Sequence, residues 1–286
     1  MKKRYRLMSF AALIAGAAMA SAACAPVKIL NGLTPSSAYD LEKSVPFSDA
    51  PALAMDVYTP QNPKADAPLV MFIYGGGWNS GHKEMYKFIG EAFSSEGYTT
   101  LIPNYRVYPN VIYPEFMSDA AKAVADASEK YNRPIVLVGH SAGAHISALL
   151  ALNPEYLDGV GVDRCKALAG WVGLSGPYDF KVYDPPYTQI FPPETREEML
   201  PIKYAGNALH PAMVIIGSDD ETVQPAQTER MAQALRKTGV PVTEAYYDGV
   251  SHTGMIANMS KLLQNRSEAH SDVMTFLNTL PKTNCG

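Results

Sequence analysis

The sequence predicts an α/β fold in one main domain, and three observations carry the prediction. Apolar stretches of strand length alternate along the chain with segments of helical periodicity. Of the 286 residues 47% are apolar and 18% charged, enough for a sizeable core and too few charges for a disordered chain. No internal repeat, low-complexity tract or charge run interrupts the series. With 24 basic against 28 acidic residues, the formal charge of −4 sets nucleic acid aside as a general partner.

The first element does not belong to the fold. Lys2, Lys3, Arg4 and Arg6 precede an alanine-rich apolar run from Leu7 to Ala23, the layout of a secretory signal. At roughly 17 residues the run is at the lower limit for spanning a bilayer, and it ends in the small residues that suit signal-peptidase cleavage. Cys24 follows Ser21-Ala22-Ala23, which resembles a bacterial lipobox with Ser21 where a bulky aliphatic residue is usual. Acylation of Cys24 and ordinary cleavage after Ala22 or Ala25 therefore stand as alternatives. Either way the protein is expected to be exported, periplasmic or secreted, and held at a membrane if Cys24 is lipidated. Loss of residues 1–23 removes four cations and no acid, taking the formal charge from −4 to −8. Of the three cysteines, acylating Cys24 or cleaving after Ala25 leaves Cys165 and Cys285 as an even pair, an expected disulfide in an oxidising compartment.

Residues 24–49 read as an N-terminal extension and 50–286 as the folded domain. Ala54 to Tyr58 alternates and stops at Pro60, Leu69 to Tyr74 is continuously apolar, and Thr99 to Pro103 and Ile135 to Val138 are shorter apolar runs; these are predicted strands. Ala167 to Leu174, Ala212 to Ile216 and Val242 to Tyr246 continue the series. The intervening predicted helices are Glu84–Glu96, Tyr113–Lys130, Ala142–Leu152, Ala226–Thr238 and Ser267–Leu280. Tyr113–Lys130 places Phe116, Ala120, Ala123, Val124 and Ala127 on one face, with Glu115, Asp119, Lys122 and Asp126 between them, as a helix covering a sheet does. Residues 178–211, rich in proline and aromatics, break the rhythm and read as an inserted loop or small cap.

Gly139-His140-Ser141-Ala142-Gly143 stands between a predicted strand and a predicted helix. That is the setting of a nucleophile elbow: the serine takes a strained turn so that its hydroxyl projects above the sheet, and the glycines let strand and helix pass without Cβ clashes. Gly75, Gly76 and Gly77 follow the strand at Leu69, and the backbone N–H groups of Gly76, Gly77 and Ala142 are the candidate oxyanion donors, each worth about 3 kcal/mol. A flexible glycine turn or a phosphate cradle is the weaker alternative, because neither a Gly-Lys-Ser/Thr nor a helix-opening G-x-G-x-x-G is present.

A serine hydroxyl needs a base to take its proton and an acid to hold that base's tautomer. His252, in a glycine-flanked loop before the last helix, is the expected base. His82, His145, His210 and His270 are expected to be structural, and His140 packs beside the serine. Asp219, Asp220 and Glu221 follow the strand Ala212 to Ile216 as candidate acids, with Asp220 preferred. No His-x-x-x-His or similar cluster is present, so no metal and no cofactor is expected.

Ser141, Asp220 and His252 in this order, behind a glycine-rich loop, resemble the α/β-hydrolase superfamily over nearly all of residues 50 to 280. Gly75-Gly76-Gly77-Trp78 with Gly81, the Asn104-Tyr105-Arg106-Val107-Tyr108-Pro109 segment and Gly139 to His145 are similar to its carboxylesterase branch, which includes bacterial esterases, kynurenine formamidases and prenylcysteine methylesterases. The family's Gly-x-x-Asp-x-x-Val register falls on Gly217, Asp220 and Val223, which favours Asp220 over Asp219. The resemblance implies a mostly parallel eight-stranded sheet flanked by helices, with the triad at the carboxyl ends of the strands. It also implies that Cys165 and Cys285 lie together at the opposite edge. Two departures stand out: Tyr74 replaces the family's usual histidine before the glycines, and Gln224 separates Val223 from Pro225.

The expected function is a serine carboxylesterase acting on short-chain acyl or small aryl esters through an acyl-enzyme on Ser141. Trp78, Tyr178 and Phe180 are expected to wall the pocket, with Tyr183, Tyr187 and Phe191 as further candidates from the cap. An arylformamidase-like hydrolase is the alternative in the same chemistry, and a silent binding module on the same fold is the alternative outside it. The partner is a small ester substrate.

Overall fold

The computed structural model describes residues 29–50 and 52–280. The signal segment, Cys24 and Cys285 lie outside the described residues. Eight strands, β1 (Tyr39–Pro46), β2 (Ala54–Pro60), β3 (Leu69–Ile73), β4 (Thr100–Pro103), β5 (Ile135–His140), β6 (Leu168–Leu174), β7 (Ala212–Gly217) and β8 (Val242–Tyr247), form one sheet in the order β1-β2-β4-β3-β5-β6-β7-β8. β2 pairs antiparallel with both β1 and β4, and every pairing from β4 through β8 is parallel. This is the α/β-hydrolase architecture.

The central strands β3, β5, β6 and β7 are buried at every position, since helices cover both faces. The covering helices are α1 (Lys87–Ser94), α2 (Glu115–Tyr131), α3 (Ala142–Leu152), α4 (Pro225–Arg236) and α6 (Ala269–Thr279), and α5 (His252–Ala257) is a short helix beside the site. α2 buries Phe116, Ala120, Ala123, Val124 and Ala127, the face expected from its periodicity. All strands of the parallel set run with their carboxyl ends to one edge, so the loops after β3, β5, β7 and β8 converge there.

One boundary moves. β1 lies inside residues 24–49, read from the sequence as an extension ahead of the domain, yet it pairs with β2 from Tyr39 to Pro46. Its signal was hidden because it is an edge strand with a register shift between Glu42 and Val45, and its polar residues face solvent. Tyr39 fixes it to the core by an edge contact with Tyr58 at 5.1 Å. The predicted helix from Glu84 also begins differently: Lys83–Tyr86 is a 3₁₀ turn and α1 starts at Lys87. Lys83 accounts for that, because its buried ammonium is tied to Asp56 at 2.7 Å and its N–H donates to Asn104 Oδ1 at 2.9 Å. Residues 178–211 form the expected irregular insertion, with short helical turns at Tyr187–Ile190, Pro193–Thr195 and Pro201–Asn207. Cys165, in the short turn before β6, is disulfide-bonded.

Candidate active site

Ser141 sits between β5 and α3 with φ 55° and ψ −122°, a left-handed backbone that a serine adopts only under constraint. The flanking glycines explain how the turn closes. A Cβ at Gly139 would lie 2.2 Å from the Gly143 carbonyl oxygen, and one at Gly143 would lie 1.9 Å from the Ile73 carbonyl oxygen. The helix therefore packs directly on strand backbone, and Ser141 is held at its amino end.

The loop after β3 faces it. Gly76 and Gly77 have φ of 127° and 59°. The Gly76 carbonyl accepts from the Asn79 and Ser80 N–H groups and from the Ser80 hydroxyl, at 3.2, 3.0 and 2.8 Å. Because the peptide is planar, fixing that carbonyl fixes the Gly77 N–H on the opposite side. Among the described residues the N–H groups of Gly76, Gly77 and Ala142 donate to no protein acceptor; Gly76 and Gly77 line the cleft, and the Ala142 N–H follows Ser141 in the chain.

Tyr74, the residue that departs from the family pattern, anchors this loop from below. Its hydroxyl donates to Asn104 Oδ1 at 3.1 Å and accepts from the Tyr105 N–H at 3.3 Å, while the Tyr105 hydroxyl donates to the Tyr74 carbonyl at 2.8 Å. The Tyr74 ring is stacked between Tyr86 and Tyr105, at 5.6 and 4.7 Å. Arg106 then ties the segment to α2 through three bonds to the buried Asp119 carboxylate, from its backbone N–H at 3.0 Å and its guanidinium at 2.8 and 2.7 Å. Sequence reading singled out Tyr74 and the Asn104–Pro109 segment without showing that they form one clamp. Their mutual contacts are tertiary and leave no local pattern.

Of the three acids after β7, Asp220 reaches the histidine. His252 Nδ1 lies 3.0 and 2.8 Å from Asp220 Oδ1 and Oδ2. Oδ1 also accepts from the N–H groups of Thr222 and Val223, at 3.0 and 2.8 Å. Burial raises the Asp220 pKa, but the imidazole bond and charge and the Val223 N–H outweigh it, so the carboxyl lies below its ordinary value. Asp219 and Glu221 are exposed, and Asp219 takes its bond from the Ser218 hydroxyl. His252 opens α5, whose preceding Ser251 caps the helix through the Gly254 N–H. Ser141 and His252 line the same cleft.

The other histidines are buried supports or surface groups. His140 Nε2 donates to the His252 carbonyl at 3.1 Å, and burial, followed by the nearby His252, pushes its pKa down to about 3. His145 Nδ1 accepts from the Trp78 indole N–H at 3.3 Å while Nε2 donates to the Met199 carbonyl at 2.7 Å; burial holds this imidazole neutral, its pKa pushed down to about 4. His145 thereby fixes Trp78 in the cleft wall. His210 donates to the Arg164 carbonyl and His82 pairs with Glu84. No group of three His, Cys, Asp or Glu side chains is placed to hold a metal ion among the described residues.

The cleft encloses about 1010 Å³ and is walled by Trp78, Phe180, Tyr183 and Tyr187, with Gly75–Gly81, Ser141 and His252 at its base. Trp78 stacks on Phe180 at 5.7 Å and meets Phe191 edge-on at 4.9 Å. Two expectations are corrected. Tyr178 does not line the cleft: its ring fills the space left by Gly173 and Gly176, where an added Cβ would collide with it, and it is fully buried. Phe191 is buried behind Trp78 and does not reach the cavity itself. Gln227 from α4 holds the start of the insertion by accepting from the Tyr178 and Asp179 N–H groups.

A family model, BD-FAE, matches residues 55–235. The isoprenylcysteine alpha-carbonyl methylesterase ICME of Arabidopsis thaliana is 23% identical over 265 residues, covering 83% of this chain and 62% of that protein. The chain thus spans less than two thirds of the length of the plant methylesterase it matches. A kynurenine formamidase of Danio rerio is 26% identical over 213 residues, covering 74% of this chain and 69% of that protein. Among solved structures, a truncated carbohydrate esterase from gut microbiota superposes with a TM-score of 0.70 at 18% identity, covering 85% of this chain and 97% of that one.

Proposed function

The chain belongs to the BD-FAE family, a family of esterase-like hydrolases, and from that premise we propose that it is a serine carboxylesterase acting on short-chain acyl or small aryl esters. One observation carries the reading: Ser141, in its strained elbow, and the Asp220-paired His252 line one cleft with the uncommitted N–H groups of Gly76 and Gly77.

In the proposed reaction His252 Nε2 takes the Ser141 proton as Oγ attacks the ester carbonyl. Asp220 keeps the proton on Nδ1, so Nε2 is the free acceptor, and it stabilises the imidazolium that forms. The tetrahedral oxyanion is held by the Gly76, Gly77 and Ala142 N–H groups. His252 returns the proton to the departing alcohol, leaving an acyl-enzyme on Ser141. Water activated by His252 then attacks the acyl carbon and releases the acid. The aromatic wall of Trp78, Phe180, Tyr183 and Tyr187 supports a substrate with a small apolar or aryl group. Export through the N-terminal signal and a Cys165–Cys285 pairing belong to the same proposal. The disulfide-bonded state of Cys165 supports the pairing.

The similarity to a formamidase gives a second reading in the same chemistry, hydrolysis of an aryl formamide. Initial rates of wild type and Ser141→Ala on p-nitrophenyl acetate, butyrate and decanoate and on N-formylkynurenine separate the two. Fast short-ester turnover lost in Ser141→Ala is expected. Preference for the formamide moves the protein to the second reading, and no difference between the two proteins on any substrate removes both.

A further inference from the structure

The helical turn at residues 29–33 is seated on the rim of the cleft. Leu30 points inward, 6% exposed, and lines the cavity. Asn31 ties the turn to the start of α1, its amide donating to the Glu84 carbonyl at 2.7 Å and its oxygen accepting from the Phe88 N–H at 3.3 Å. Lys87 donates to the Thr34 carbonyl at 2.8 Å. These bonds fix where the described chain begins: beside the mouth of the active site.

The outward face of the same turn is apolar. Ile29 and Leu33, four residues apart and so on one side of the turn, are 61% and 63% exposed. Tyr183, which lines the same cavity as Leu30, is 75% exposed, and Tyr187 is 41% exposed. Leu30, Tyr183 and Tyr187 line one cavity, so the exposed apolar residues beside Leu30 and those of the insertion belong to two segments bordering the same cleft, as at a docking surface. Lys181, on the same rim, has no ion pair among the described residues, and Asp184 adds one carboxylate. An ammonium over an apolar patch suits a layer of lipid phosphates.

The lipobox reading of Cys24, one of the two alternatives above, would bring a bilayer to this surface. The apolar run Leu7–Ala23 and Cys24 end five residues before Ile29, and five extended residues reach at most about 18 Å. Any membrane attachment made there holds the cleft mouth within that reach of the bilayer. We propose that the rim formed by Ile29, Leu33, Tyr183 and Tyr187 docks on a lipid bilayer, so that the cleft opens onto the membrane. There it takes short-acyl esters of long-chain alcohols held in the bilayer. The base of the cleft, at Ser141 and the glycine loop, receives the acyl group and the ester carbonyl, and the alcohol chain stays in the lipid. The substrate part of this inference rests on the esterase reading above; the docking part does not.

Two measurements on the full chain with phosphatidylcholine vesicles test it. In the first, Ile29→Trp and, at the opposite end of the sheet, Glu129→Trp are compared for quenching by doxyl-labelled lipid. Strong quenching of the Ile29→Trp fluorescence and little of Glu129→Trp is expected. Equal quenching, or protein that stays in the supernatant when the vesicles are pelleted, overturns the docking. In the second, wild type and the Ile29→Asp/Leu33→Asp double variant are assayed on hexadecyl acetate in the vesicles and on p-nitrophenyl acetate in solution. The double variant is expected to lose about tenfold or more on the vesicle-held ester, because two apolar contacts with lipid become charged, while its rate on the soluble ester is unchanged. Equal rates on the vesicle-held ester, or equal losses on both, overturn the substrate assignment. If wild type hydrolyses neither ester the esterase reading falls, and the quenching result still decides the docking.

Discussion

The Tyr105 hydroxyl donates to the main-chain carbonyl of Tyr74 at 2.8 Å, and that carbonyl belongs to the peptide leading into the oxyanion glycines. A backbone acceptor this deeply buried has no water to replace the bond, and Tyr105 itself is 4% exposed. Tyr105→Phe keeps the ring stack on Tyr74 and removes only the bond. The expected result is a fall in kcat of roughly fivefold to tenfold with KM near wild type, since about 1 kcal/mol of positioning is lost from groups that act on the oxyanion. Steady-state kinetics beside a thermal melt check it. A change in KM alone, or in melting temperature alone, contradicts the positioning role.

That clamp shows where the sequence stops being readable. The elbow was legible because its constraint is local: Gly139, Ser141 and Gly143 are placed by backbone approach over five residues, and the buried runs of β3 and β5 announce the strands beside them. Asp220 needed the register to Gly217 and Val223, and the Val223 N–H that accounts for the register is itself bonded to the carboxylate. β1 was lost because an exposed edge strand needs no apolar period. Tyr178 is not legible as a core residue because nothing in its neighbours says that Gly173 and Gly176 leave a hole its ring fills. The partnership of His145 with Trp78 spans 67 positions and has no spacing to read.

Gly143→Ala tests the elbow's backbone contact. A methyl 1.9 Å from the Ile73 carbonyl oxygen must push α3 away from β3, and the neighbour is backbone that cannot rotate aside. A loss of stability of about 3 kcal/mol or more is expected in denaturant unfolding, with activity lost even in the fraction that folds. Wild-type stability in this variant would mean that strand and helix are further apart than described.

Asp220→Asn leaves the shape of the site and removes the charge that fixes the His252 tautomer. A fall in kcat of about 10³ to 10⁴ is expected on soluble esters, with Asp219→Asn close to wild type because Asp219 is exposed and bonded to Ser218. Comparable losses in both variants would remove the assignment of the acid.

Two buried imidazoles predict the acid limb of stability. His140 and His145 have pKa values lowered to about 3 and about 4, against an ordinary value of about 6.5 in the unfolded chain. Between those limits the unfolded chain binds protons that the folded chain does not. Their contribution is therefore complete above about pH 6.5 and is lost as pH falls toward the folded values, at about 1.4 kcal/mol per pH unit for each imidazole. Asp220 adds the usual carboxylate loss at lower pH, because its folded pKa lies below the unfolded one. Urea unfolding at pH 7.5 and pH 5 should show a drop of a few kcal/mol for wild type and a smaller drop for His140→Gln. A flat profile would place water or a counter-charge beside these rings.

The wall of the cleft gives the last prediction, a contrast between two aromatic neighbours in sequence. Phe180 lines the cavity and stacks on Trp78 at 5.7 Å, whereas Tyr178 is fully buried behind β6 with its hydroxyl over Gly173. Phe180→Ala exposes the Trp78 face and enlarges the pocket. It is expected to raise KM severalfold for an aryl ester and less for ethyl acetate, because it removes apolar contact of about 1.5 kcal/mol or more from the larger substrate. Tyr178→Phe touches no substrate-facing surface and should leave kcat and KM unchanged for both. Kinetics of the two variants on p-nitrophenyl butyrate and ethyl acetate decide the matter. If Tyr178→Phe shifts KM and Phe180→Ala does not, the insertion is folded over the site differently, and the walls of the cleft must be assigned again.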